Sequence, residues 1–163
     1  MKRLISSFVV VGAVLLMMAG SAQASGAGAV SMTQTFHNAT QTFVPPDPAA
    51  VNPCTGVLGT LTITYNGVAH STFLTSGVGA GTGWATFTAT GTFTFVGVDG
   101  VTFTGRFTTW DGQNFNLKNF AATSTFVVHG TGSDGSSLTF HDVAHFSVSA
   151  SGITLGFDKP TCG

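Results

Sequence analysis

Glutamate is absent from this chain, and its six acidic residues, all aspartate, stand against only five lysines and arginines. So little charge excludes whole classes of function. No basic patch exists to hold nucleic acid or an anionic lipid surface by electrostatics. No pair of glutamates is present for glycoside cleavage. The motif G-x-S-x-G, a glycine-rich phosphate loop entering a helix and a C-x-x-C pair are missing as well. Helical periodicity is also lacking beyond residue 25, so apolar positions do not recur every three to four residues.

Long hydrophobic runs are confined to one place. Lys2 and Arg3 precede an apolar run over Phe8–Met18, which is followed by the small-residue site Ala22-Gln23-Ala24. This is the pattern of a secretory signal peptide over residues 1–24, too short to read as a membrane span. The expected mature chain, residues 25–163, is long enough for one domain with one core. Secretion to an extracellular location without stable membrane insertion is expected. The two cysteines, Cys54 and Cys162, are too few and too far apart for a thiolate metal site. In an exported chain they predict a single disulfide, contributing on the order of 4 kcal/mol by chain entropy.

What is abundant is threonine, phenylalanine and glycine. Between Trp84 and Trp110, Phe87, Ala89, Gly91, Phe93 and Phe95 alternate with Thr86 to Thr94. After Gly97-Val98-Asp99-Gly100, Val101, Phe103, Gly105 and Phe107 alternate with Thr102, Thr104, Arg106 and Thr108. Successive strand side chains point to opposite faces, which predicts a hairpin with an aromatic side and a hydroxyl side. Eight strands are expected, near 30–44, 58–65, 68–75, 83–96, 101–110, 119–130, 136–149 and 152–159. Prolines 45, 46, 48 and 53 make residues 45–57 an irregular connection. Short links elsewhere favour antiparallel neighbours. The fold class is all-β, an antiparallel up-and-down β-barrel of about eight strands, with a β-sandwich as the alternative.

The aromatic side is expected inside, carrying Phe87, Phe93, Phe95, Phe103, Phe107, Phe120, Phe126, Phe140 and Phe146. Gly91 and Gly105 share that side, either beneath a cross-strand ring or as bends. Asn66-Gly67 predicts a two-residue hairpin turn. That turn sets Tyr65 opposite Val68, Ile63 opposite His70 and Leu61 opposite Thr72, which places His70 inside. Asp142 interrupts the inward row Leu138, Phe140, Ala144, Phe146 and Val148, and a buried carboxylate needs a partner. His70, Tyr65, Thr72 and Ser124 are the expected inward polar side chains. Candidate catalytic residues are therefore His70, Asp142 and Tyr65, as an acid/base cluster or as a satisfied structural network. Candidate ligand-binding residues are Tyr65, His70, Phe93, Phe103, Phe126, Phe140 and Asp142.

His129, His141 and His145 read as outward, beside Arg106. A zinc site on His129 and His141 lacks a completing ligand, so neither metal nor cofactor is expected. The outward threonines, among them Thr60-Leu61-Thr62-Ile63-Thr64, form a possible recognition face for a polysaccharide or ice surface. Asn38-Ala39-Thr40 fits a glycosylation sequon.

Pro53-Cys54-Thr55-Gly56, the segment Thr62 to His70, Gly130-Thr131-Gly132-Ser133-Asp134-Gly135, His141, His145 and Cys162 together resemble a group of small secreted bacterial β-rich proteins carrying no assigned activity. The resemblance implies secretion and a β-rich fold. In architecture alone, the strand plan is similar to lipocalin-like and allene-oxide-cyclase-like barrels, which hold apolar ligands; no residues carry across. The leading expectation is a non-enzymatic barrel binding a small apolar ligand or an extracellular or envelope partner, with no nucleic acid. A cofactor-free isomerase or cyclase using the His/Asp/Tyr cluster, and a threonine-faced recognition or structural protein, are the alternatives. Oligomeric state is left open.

Overall fold

The structure, a computed structural model, describes residues 23–26, 28–149 and 151–163. The expected leader lies outside these residues except for Gln23 and Ala24, which belong to the first strand. Among the described residues nine strands follow in order: β1 (Gln23–Gly26), β2 (Ala29–Phe43), β3 (Gly59–Leu74), β4 (Gly83–Gly97), β5 (Thr102–Phe115), β6 (Phe120–Gly132), β7 (Ser137–Ser149), β8 (Gly152–Asp158) and β9 (Thr161–Cys162). They form one antiparallel sheet in which β1 to β8 pair in sequence order and β9 adds to β7. Among the described residues no ladder joins β2 to β8, so hydrogen bonds do not close the sheet.

Alternation decides which face is buried. On β4, Ala85, Ala89, Phe93 and Phe95 are buried while Thr86, Thr88, Thr90, Thr92 and Thr94 are exposed. Phe93, Phe95, Phe103, Phe107 and Phe140 are each at most 8 % exposed. Among the described residues no helix or second sheet is present to cover them, so they pack on one another along the apolar face. One cluster running from Tyr65 on β3 to Leu138 and Phe140 on β7 forms this core.

Residues 44–58 lie at the lower end of the sheet, where the Val98 N–H donates to the Leu58 carbonyl at 2.9 Å. Asn52 is buried, and its Oδ1 accepts the Cys54 and Thr55 N–H groups at 3.0 and 3.1 Å, fixing the bend that presents Cys54. Cys54 is bonded to Cys162 across a Cα–Cα distance of 5.8 Å. Cys162 pairs with Phe140 on β7, so the staple ties the β2–β3 connection to the other side of the sheet. A disulfide of this kind is the mark of an oxidising compartment. No helix among the described residues is long and apolar enough to cross a membrane.

Two glycines of the aromatic face, Gly91 and Gly130, lie beneath rings. A Cβ on Gly91 would meet the Phe107 ring at 2.9 Å, and one on Gly130 would meet Phe93 at 2.7 Å. A Cβ on Gly105 would collide with the His129 carbonyl oxygen. The ring reading thus holds for Gly91, whereas at Gly105 it is the β6 backbone that leaves no room for a side chain.

One sequence expectation fails, with consequences for the site. Asn66-Gly67 makes no turn, and the strands expected at 58–65 and 68–75 are the single strand β3. Residues 59–73 pair with β4 along their whole length, and β2 pairs on the other side. Sixteen residues flanked on both sides outweigh the local preference of one Asn-Gly pair. The two residues do other work. Asn66 Oδ1 accepts the Asn38 N–H at 3.0 Å, where β2 bulges between Phe36 and Ala39 and Asn38 takes a φ of +48°. A Cβ on Gly67 would come within 2.8 Å of the Thr88 carbonyl oxygen, so glycine permits the β3–β4 approach.

Candidate functional site

Removing the turn reverses the facing of every residue that follows it on β3. His70 is on the outer face, not inside, where its Nδ1 hydrogen-bonds Thr33 Oγ1 at 2.8 Å. Thr72 is outward too, within bonding distance of Ser31 Oγ at 2.8 Å and His70 Nε2 at 3.4 Å. Asp142 is inward, as expected, and 6 % exposed. The structure therefore separates His70 from Asp142 by the thickness of the sheet, and the expected His70–Asp142–Tyr65 cluster does not form. Tyr65 belongs to the aromatic part of the core, its ring 5.8 Å from Phe36 and 6.3 Å from Phe87. Burial pushes its hydroxyl pKa up.

In place of that cluster, the inner face is divided into levels. The lower level is aromatic: Phe93, Phe103 and Phe140 are buried, with Phe126 packed between Phe107 and Phe140 at 6.0 and 6.2 Å. Four of the expected ligand-binding phenylalanines thus fill the core. Above them the ladders align Ala69, Phe87, Asp111, Ser124, Ala144 and Asp158 in one row across β3 to β8. The row above that contains Ser71, Ala85, Gln113, Ala122 and Phe146. Higher still, Phe73 and Phe115 meet at 5.5 Å over Gly83, with Phe73 40 % exposed at the rim.

Three of the six aspartates lie in this middle level. Asp142 stands opposite Phe126, at the top of the aromatic region. Its carboxyl group hydrogen-bonds that of Asp158, and Asp142 Oδ1 and Asp158 Oδ1 are both shielded from solvent. Burial, then the neighbouring Asp142, pushes Asp158 up to about 6. Burial also pushes Asp111 up to about 6, against the hydrogen bond it accepts from Thr109 Oγ1 at 3.2 Å.

The described arginine and lysines are placed elsewhere. Arg106 is outward beside His129, and Lys118 lies in the 116–119 loop. The Lys159 Nζ sits 5.3 Å over the Phe157 ring, which itself stacks on outward-facing His145. His129 and His141 are exposed on the outer face, and His145 bonds Thr123 Oγ1 at 2.8 Å, all outward as expected. No three His, Cys, Asp or Glu side chains among the described residues converge as metal ligands.

Asp111, Asp158 and Ser71 are additions that sequence reasoning missed. Asp111 continues the parity of Phe103, Gly105 and Phe107, but the expected strand stopped at Trp110, one residue short. Ser71 shares the parity of Tyr65 once β3 is continuous. No protein-family model matches the chain, and no curated protein or solved structure matches it.

Proposed function

We propose that this is a secreted, barrel-like binding protein whose ligand is a small, largely apolar molecule held in the upper half of the curled sheet. One observation carries the reading: the inner face changes composition midway. Its lower half is filled by buried rings, whereas its upper half alternates alanines and serines with Phe87, Gln113 and Phe146 below a partly exposed aromatic rim. The upper rows carry alanine at 69, 85, 122 and 144, where the lower half carries rings. On this reading the ligand enters at the upper end, opposite the disulfide-tied connection.

The experiment is native mass spectrometry of the protein purified from the medium of its own host, before and after mild denaturation. A co-purifying mass that is lost together with the fold supports the reading. An apo mass that no amphiphile from a small panel can alter overturns it.

A second reading rests on the outer face. The ladders set Thr42, Thr62, Thr94, Thr104 and Thr131 side by side across β2 to β6. Trp84 and Trp110, 42 % and 43 % exposed, lie outward on neighbouring strands. Hydroxyl rows beside exposed indole rings suit stacking on an uncharged polysaccharide. Pull-down on insoluble glucans and chitin, lost in Trp84→Ala and Trp110→Ala, would establish it; unchanged retention in both variants would dismiss it.

A further inference from the structure

The outer face has one position where a ring, not a hydroxyl, is laid against the sheet. We infer that Trp110, seated over Gly112, is the stacking subsite for one uncharged pyranose unit of a polysaccharide. This deepens the outer-face reading given above and rests on it.

The argument begins with Gly112, an outward position of β5 between Trp110 and Asn114. Glycine within a strand gives up side-chain packing and commonly marks a close approach. Here the approach is made by an indole. A Cβ on Gly112 would meet three atoms of the Trp110 ring first, at 2.7, 2.9 and 3.6 Å. The ring therefore leans along its own strand over the glycine instead of standing clear of the sheet. One side of it is seated on β5, yet Trp110 still leaves 43 % of its surface to solvent. A ring held in this way offers a fixed apolar surface with little rotamer freedom left to lose on binding.

The ladders frame that surface with hydroxyl groups. Thr88 on β4 and Thr125 on β6 stand opposite Trp110, and Thr86 and Thr123 stand opposite Gly112. Alternation turns all four outward with the indole. Thr123 is itself held by His145, whose Nδ1 lies 2.8 Å from its Oγ1. One row further, Asn114 pairs with the exposed Trp84, which continues the face toward a second ring. No lysine, arginine, aspartate or glutamate occupies these paired positions. A charged partner would therefore leave its charge without a counter-charge here. An uncharged pyranose has the matching chemistry: an apolar C–H face for the ring, and hydroxyl groups at its edge for threonine and asparagine.

The test uses cellohexaose and chitohexaose as probes, with calorimetry on the full mature chain and acrylamide quenching on Trp84→Phe, in which Trp110 alone fluoresces. At least one probe should bind and shield Trp110 from the quencher. Gly112→Ala is the decisive variant, because its Cβ meets the movable ring first and lifts the indole while the sheet is kept. In the free protein it should open Trp110 to quenching. Affinity should fall at least tenfold in Gly112→Ala and in Trp110→Ala, but only a few-fold in Trp110→Phe, which keeps a ring. Hexagalacturonate, of like length but charged, should bind at least tenfold more weakly than the better neutral probe. Affinity unchanged in Gly112→Ala, or lost in Trp84→Ala but not in Trp110→Ala, overturns the inference and leaves the outer-face reading standing. So does galacturonate binding as tight as the neutral probe, or retention on insoluble chitin or glucan with neither hexasaccharide bound. A two-chain mass that Trp110→Ala dissociates assigns the ring to a contact between copies, and also overturns it. No binding to any soluble or insoluble glycan overturns both.

Discussion

Asp142 on β7 and Asp158 at the end of β8 hydrogen-bond carboxyl to carboxyl on the inner face of the sheet. With Asp111 they make an acidic level that the folded protein holds at a cost. Asp111 and Asp158 titrate near 6 in the fold, against 3.8 for a free aspartate. The folded state thus binds more protons than the unfolded chain between about pH 4 and pH 6. Stability then falls as pH rises through that window.

Thermal unfolding followed from pH 4.5 to 7.5 should show the midpoint decreasing toward neutral pH. Asp111→Asn keeps an acceptor for Thr109 and removes the charge. It should gain about 1–2 kcal/mol at pH 7, after screening is allowed for, and flatten the profile. A midpoint that climbs steadily to pH 7 would contradict the burial of these carboxyl groups.

Much of this arrangement is legible in the sequence. The period-two alternation of phenylalanine and threonine defines β4 and β5 and their inner face, and the proline cluster marks the connection that carries Cys54. Asp142 reads correctly as a carboxylate in an apolar row. Asn66-Gly67 misleads because a turn preference is local, whereas β3 is held by ladders to residues that lie far away in the chain, 29–43 and 83–97. One false turn flips the parity of His70 and Thr72 and hides Ser71. Asp158 is hidden for a different reason: its partner, Asp142, is brought near only by the β7–β8 ladder.

The continuous β3 strand makes a direct prediction for hydrogen exchange. The amides of Asn66 and Gly67 lie mid-strand between β2 and β4 and should be protected as strongly as that of Ile63. Fast exchange confined to these two residues would restore the hairpin. For the same reason, His70→Ala should leave the core intact and cost under about 1 kcal/mol, since it removes only outward bonds to Thr33 and Thr72.

The glycine-and-ring packing should be intolerant of small additions. Gly105→Ala forces a Cβ against the His129 carbonyl, and Gly130→Ala forces one against the Phe93 ring. Each should cost about 1–3 kcal/mol in urea unfolding. Phe93→Ala should cost about 3–5 kcal/mol, because the lower core loses a buried ring.

Replacing both Cys54 and Cys162 with serine releases the β2–β3 connection from the β7 side. With a sequence separation of 108 residues, the chain-entropy contribution is about 4–5 kcal/mol. Denaturant unfolding of the double variant should show a loss of that order. A loss well under 1 kcal/mol would mean that the lower end is held by packing alone.

The most direct test of the account maps octan-1-ol on the folded protein by amide chemical shifts at pH 7. Perturbations are predicted at Ser71, Ala85, Asp111, Ser124, Ala144 and Asp158, with Thr62, Thr94 and Thr104 on the outer face unchanged. Shifts concentrated on those outer threonines, or no shifts at saturating ligand, would contradict a binding site on the upper inner face.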